Sequence, residues 1–144
     1  MFSSFNSNYE NFEKAEKFYN QAITDNKSQR GNSPLPIAHL NLGEVFGKTA
    51  RIPKAIKEWE LAIQQDPSLL PAQFNLGIAF MMQGKLDNAE NYFLKCLELN
   101  SRFKPALFNL ALVKQKQFQI WARVILKIVN IYLLIEFSKI ILEM

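Results

Sequence analysis

Apolar residues along this chain recur at helical spacing, and few segments alternate with period two, which points to an all-α protein. The pattern also repeats on a longer scale. The stretch from Pro36 to Phe46, with Leu40, Leu42, Gly43, Val45 and Phe46, returns from Leu70 to Phe80 with Phe74, Leu76, Gly77, Ala79 and Phe80. It begins a third time at Lys104, with Phe108, Leu110 and Ala111, and the spacing is 34 residues each time. The second half of the unit repeats too: Ala55, Trp59, Ala62 and Pro67 correspond to Ala89, Phe93, Cys96 and Ser101. Repetition at this period indicates stacked helical hairpins.

These residues resemble the tetratricopeptide-repeat (TPR) family, whose unit runs Leu-Gly, an aromatic, then Ala, an aromatic, a small residue and Pro. The resemblance covers about residues 10 to 117 and implies an all-α solenoid of about three units followed by an apolar C-terminal helix. Helices are expected near 37–48, 53–65, 71–83, 86–99 and 105–117. Gly43 and Gly77, with Ala55 and Ala89, are expected where antiparallel helices press together, and Phe46, Trp59, Phe80 and Phe93 between hairpins. Gly84 should separate the helices of its unit. Ala50 stands at the matching place, so its turn is expected to be looser. Pro67 should end the second helix by disfavouring helix in the residue before it.

The domain division is 1–35 as a partial unit and loop, 36–69 and 70–103 as full units, 104–117 as a first helix, and 118–144 as an apolar helical tail. In the partial unit, residues 11–23 read as a second helix, with Ala15, Tyr19 and Ala22 in the signature places. The segment from Asn26 to Pro36, with Gly31, Pro34 and Pro36, reads as a flexible loop. At the other end Phe118 stands where glycine is usual. In strict register Arg123 and Lys127 replace the expected Ala and aromatic, whereas a one-residue deletion would place Ala122, Leu126 and Val129 there. Both registers stay open. Residues 118–142 are long enough to span a bilayer, but Arg123, Lys127, Asn130, Glu136 and Lys139 interrupt them. The tail therefore reads as a packed or self-associating helix, a membrane-contacting helix, or a non-native end.

Composition narrows the function. A net charge of +4, with no run of five basic residues, gives no nucleic-acid signature. The N-terminus lacks a basic region followed by an apolar core, so no secretory signal is read. One cysteine and one histidine leave no basis for a disulfide or a cysteine- or histidine-built metal site. Cys96 and His39 are expected to pack, and Glu58 with Glu60 carries no acid–base signature. No catalytic residue, metal or cofactor is expected.

In TPR solenoids the first helices line a concave face that grips a peptide or partner helix. Here Asn41, Asn75 and Asn109 repeat on those helices, and an amide can pair with any peptide backbone. The series resembles the asparagine ladder of the O-linked N-acetylglucosamine transferases. Leu40, Phe74 and Phe108, with Ile78 and Leu112 a turn further, would form an apolar floor, and Glu44 completes the candidate peptide site. The co-chaperone type of TPR clamps a C-terminal carboxylate with Lys and Asn. Leu40 and Glu44 occupy two of those positions, and Pro71 and Pro105 sit where a basic residue would, which argues against that activity.

The resemblance implies a non-catalytic, cytoplasmic protein–protein interaction scaffold for another protein or peptide. It leaves room for self-association and for membrane contact through residues 118–142. Lys95 to Leu112 is also similar to the TPR region of transmembrane O-mannosyltransferases. The alternative expectation is therefore a piece of such an enzyme, at the ER membrane with its repeats facing the lumen. The glycosylation sequon Asn26-Lys27-Ser28 would bear on that case.

Overall fold

The computed structural model describes residues 2–28 and 35–143, all helical apart from short turns. The helices are α1 (Phe2–Ser28), α2 (Pro36–Lys48), α3 (Ile52–Gln65), α4 (Leu70–Met82), α5 (Leu86–Leu99) and α6 (Lys104–Glu143). Helices α2 and α3 form one hairpin and α4 and α5 the next; α3 packs on α4, and α5 on α6. Pro36, Pro53 and Pro71 stand in the first turns of α2, α3 and α4. The missing N–H costs nothing there, because the first helical N–H groups have no intrahelical acceptor.

The hairpins close on their glycines. A Cβ on Gly43 would lie 2.4 Å from Nε1 of Trp59, and one on Gly77 would lie 2.6 Å from Cε1 of Phe93. The aromatic side chain of each second helix thus lies flat on the bare backbone of the first. Trp59 and Phe93 were expected between hairpins, but this contact places them inside their own. Ala55, Ala62, Ala89 and Cys96 are fully buried around them. Phe74 links the layers, with its ring 5.8 Å from that of Phe93 and 5.2 Å, edge-on, from that of Phe103.

Turns between hairpins rest on an acidic or amide side chain. Ser68 N–H and Oγ–H donate to Asp66 Oδ1 at 3.0 and 2.6 Å. Arg102 N–H donates to Asn100 Oδ1 at 3.1 Å, 34 residues on. The device survives in the second unit although Ser101 replaces Pro67.

Turns within hairpins share one hydrogen-bond pattern. Arg51 N–H donates to Phe46 C=O at 2.8 Å and Ala50 N–H to Gly47 C=O at 3.1 Å. Lys85 N–H to Phe80 C=O at 3.0 Å and Gly84 N–H to Met81 C=O at 3.1 Å repeat them. This is the Schellman termination, which needs a left-handed residue. Ala50 takes φ 58° and Gly84 φ 73°. The Ala50 turn is therefore as tight as the glycine turn, and its cost appears as backbone strain. Ala50 is exposed, so Ala50→Gly should stabilise the chain by about 0.5–1 kcal/mol. Thermal melts should show a midpoint raised by about 1–4 °C.

Both ends depart from the hairpin pattern. Helix α1 is longer than the 11–23 helix expected, running from Phe2 and taking in Asn26–Ser28 of the expected loop. Residues 29–34 of that expected loop lie outside the described residues. Glu16 accepts a 2.7 Å ion-paired hydrogen bond from Arg51, and Tyr19 and Ile23 pack on the core. Helix α6 does not turn at Phe118, the place of Gly84 in the previous unit, but continues to Glu143. A bulky aromatic is strongly disfavoured at positive φ, so the Schellman stop cannot form cheaply and the helix runs on. No helix among the described residues is long and apolar enough to cross a membrane.

Candidate functional site

The expected site residues fall into three groups. Asn41, Asn75 and Asn109 occupy equivalent places on α2, α4 and α6, and all three are half-buried. Asn109 Nδ2 donates to the Pro105 carbonyl of its own helix at 2.8 Å, leaving its oxygen able to accept. The side chains of Asn41 and Asn75 make no hydrogen bond among the described residues, so both ends of each amide stay available.

The apolar floor divides. Leu40 is buried in the core and offers no surface to a ligand. Phe74 and Ile78 are half-buried against the same core, with Phe74 held between Phe93 and Phe103. Leu112 is half-buried, whereas Phe108 is 66% exposed. The floor expectation treated Leu40 and Phe108 alike because they share a repeat position. They differ because the helices around them differ.

Asn41 and Glu44 do come together. With Val45 and Lys48 they line one wall of a cleft of about 290 Å³ whose other wall is Asn11, Phe12, Ala15 and Tyr19 of α1. The wall that α1 supplies is legible only in part, since residues 11–23 read as the second helix of a partial unit.

Three features escaped the sequence reading. His39, expected simply to pack, is buried, and its Nδ1 lies 2.7 Å from Glu58 Oε2. Its counterpart Gln73 is also buried and donates through Nε2 to the Pro67 carbonyl at 3.1 Å. Third, a cleft of about 490 Å³ lies between the start of α5 and α6, lined by Lys85, Leu86, Asp87, Gln117, Trp121 and Val124 among others. Gln117 Nε2 donates to Asp87 Oδ1 and Glu90 Oε2 at 2.9 and 3.0 Å, and Lys114 pairs with Glu90. The hydrogen bond from Lys114, helped by that from Gln117, holds the Glu90 carboxyl below the usual range.

Cys96 is fully buried, and burial pushes its thiol up to about 11, far from a reactive thiolate. Among the described residues no three His, Cys, Asp or Glu side chains gather as a metal site.

Comparison with known proteins agrees with this architecture. Residues 71–103 match the tetratricopeptide repeat. No curated protein matches the chain. Among solved structures it is similar to the second TPR domain of the human RPAP3 protein in complex with an HSP70 peptide, with 25% identity and a TM-score of 0.62. That match covers 72% of this chain and 81% of the other. The Sgt2 TPR domain from Aspergillus fumigatus gives 22% identity and a TM-score of 0.65 over 79% and 73% of the two chains. The first TPR of Spaghetti (RPAP3), bound to an HSP90 peptide, gives 22% and 0.58 over 73% and 88%. This chain thus carries a tetratricopeptide repeat over residues 71–103, and by fold it is a TPR-type solenoid of helical hairpins.

Proposed function

We propose that this chain is a non-catalytic interaction scaffold that holds an extended peptide along the face bearing Asn41, Asn75 and Asn109. The observation that carries this reading is the recurrence of half-buried asparagines, two of them without an internal partner. Such groups are left unpaired only where water or a ligand satisfies them. The fold's likeness to two peptide complexes supports the same role.

The peptides in those complexes end in Glu-Glu-Val-Asp. This chain is a poor match for that chemistry. Glu44 places a negative charge beside Asn41, and Pro71 and Pro105 begin α4 and α6 without a side-chain donor. The ligand is instead an internal extended segment, recognised through its backbone, with apolar side chains set against Ile78, Phe108 and Leu112.

The test is a display library of extended peptides selected on the intact chain, followed by Asn41→Ala, Asn75→Ala and Asn109→Ala combined. Three lost hydrogen bonds at about 0.5–1.5 kcal/mol each should weaken the selected peptides by roughly 10- to 1,000-fold, with the helical circular-dichroism signal unchanged. Undiminished binding by the folded triple variant removes the ladder. In cells, glycan addition at Asn26 would point instead to the ER-lumenal alternative.

A further inference from the structure

The first half of α6 presents a face that its predecessor keeps covered. On α4, the residues facing α5 are closed off: Gln73 is 4%, Leu76 0% and Phe80 8% exposed. The residues 34 positions on are less covered: Leu107 is 47% exposed, Leu110 is half-buried and Lys114 is exposed, and Ala111, the counterpart of Gly77, is exposed too. The other side of α6, with Ala106 and Val113 fully buried, is where α5 sits. Among the described residues, nothing occupies the position that α5 takes beside α4.

The second half of α6 has the opposite property, a large apolar surface with nothing against it. Sixteen large apolar side chains between Phe118 and Leu142 are each 46% exposed or more. At about 150–250 Å² for a large side chain, they expose on the order of 1,500 Å². A stable interface buries about 800 Å² per partner, and single soluble chains rarely expose a patch so large.

These two surfaces lie on one continuous helix and share one stripe. Leu107, Ala111, Lys114, Phe118, Trp121, Ile125 and Ile128 follow the three- and four-residue spacing of a helix–helix seam, with Lys114 its one charged member. Within the hairpin, Gly77 faces Phe93. Moving 34 residues on, Ala111 would face residue 127 if the chain folded back. Phe118 prevents the fold-back, but an antiparallel helix from another molecule can supply a pairing one residue displaced, which puts Ile128 in place of Lys127 opposite Ala111.

We propose that two molecules of this chain pair through α6 in antiparallel fashion, each second half taking the vacant hairpin position of the other. The paired seam sets Ala111 opposite Ile128 of the second molecule and Phe118 opposite its Trp121, so the two-fold axis passes between Gln119 and Ile120. Each molecule then completes its last hairpin with a helix borrowed from the other. The inference is independent of the peptide reading.

The test uses the full chain with Ala111→Cys and Ile128→Cys combined, both exposed positions, and the native Cys96 shielded by burial. Mild oxidation should give a disulfide-linked dimer in high yield on non-reducing gels, and Ala111→Cys alone should give none. Light scattering of the unmodified chain should report a dimer, and Trp121→Glu with Ile128→Glu should return a folded monomer. Four results overturn the proposal. A disulfide-linked monomer shows a chain folded back on itself. Cross-linking by Ala111→Cys alone shows a parallel pair. A monomer in light scattering refutes pairing outright. Co-sedimentation of a monomer with phosphatidylcholine–phosphatidylserine vesicles assigns the apolar face to lipid.

Discussion

Phe93→Ala is expected to destabilise the chain by about 3–5 kcal/mol, a large share of the roughly 5–15 kcal/mol that holds a domain folded. The ring is fully buried, lies on the Gly77 backbone and lies beside Phe74. Removing it empties a space bounded by two helices that the neighbouring hairpin also braces, so collapse is limited and the cavity term stays large. Urea unfolding followed by circular dichroism measures the loss. A change under about 1 kcal/mol would show that the second hairpin closes on something other than this ring.

The complementary result concerns the glycine beneath it. Gly77→Ala should cost about 1–3 kcal/mol by overpacking, since the added Cβ would lie 2.6 Å from Phe93 Cε1 and 2.8 Å from Cδ1. That penalty opposes the usual gain of about 1 kcal/mol for replacing glycine by alanine inside a helix. The two substitutions should not add. With the ring removed, the methyl group enters vacated space, so Gly77→Ala combined with Phe93→Ala should be less destabilising than the sum of the singles by about 1–3 kcal/mol. Strict additivity would mean that ring and glycine do not share one contact.

The hairpins were legible in the sequence because a 34-residue period constrains every position in it. Gly77 and Ala89 fall at the helix contact by that alignment, and helix ends near Lys48 and Leu99 follow from it, but it does not show that Phe93 lies on Gly77 rather than between hairpins. Ala50 was harder. Its side chain suggested a looser turn, whereas the backbone adopts the glycine conformation and absorbs the strain. The longer α1 and α6 lie outside the full units, where no second repeat defines the pattern. At Phe118 the deciding fact is a conformational penalty rather than a hydrophobic period. The candidate site was the least legible. Repeat position predicts that Leu40 and Phe108 behave alike, but burial depends on which helices stand nearby. The His39–Glu58 contact joins two residues with no counterpart pair in the next unit, where Gln73 and Tyr92 stand.

The unequal settings of the two tryptophans give this chain a pair of separable optical reporters. Trp59 is 6% exposed against Gly43, and Trp121 is 62% exposed on α6. Indole emission shifts to longer wavelength in water, so Trp59 supplies a blue component that follows the integrity of the first hairpin. Trp121 supplies a red component that follows the covering of α6. Trp121→Phe leaves the first signal alone, and Trp59→Phe isolates the second while removing the buried Trp59 Nε1 donor, which has no partner among the described residues. Hairpin unfolding and α6 coverage can then be watched separately in one cuvette without an added dye.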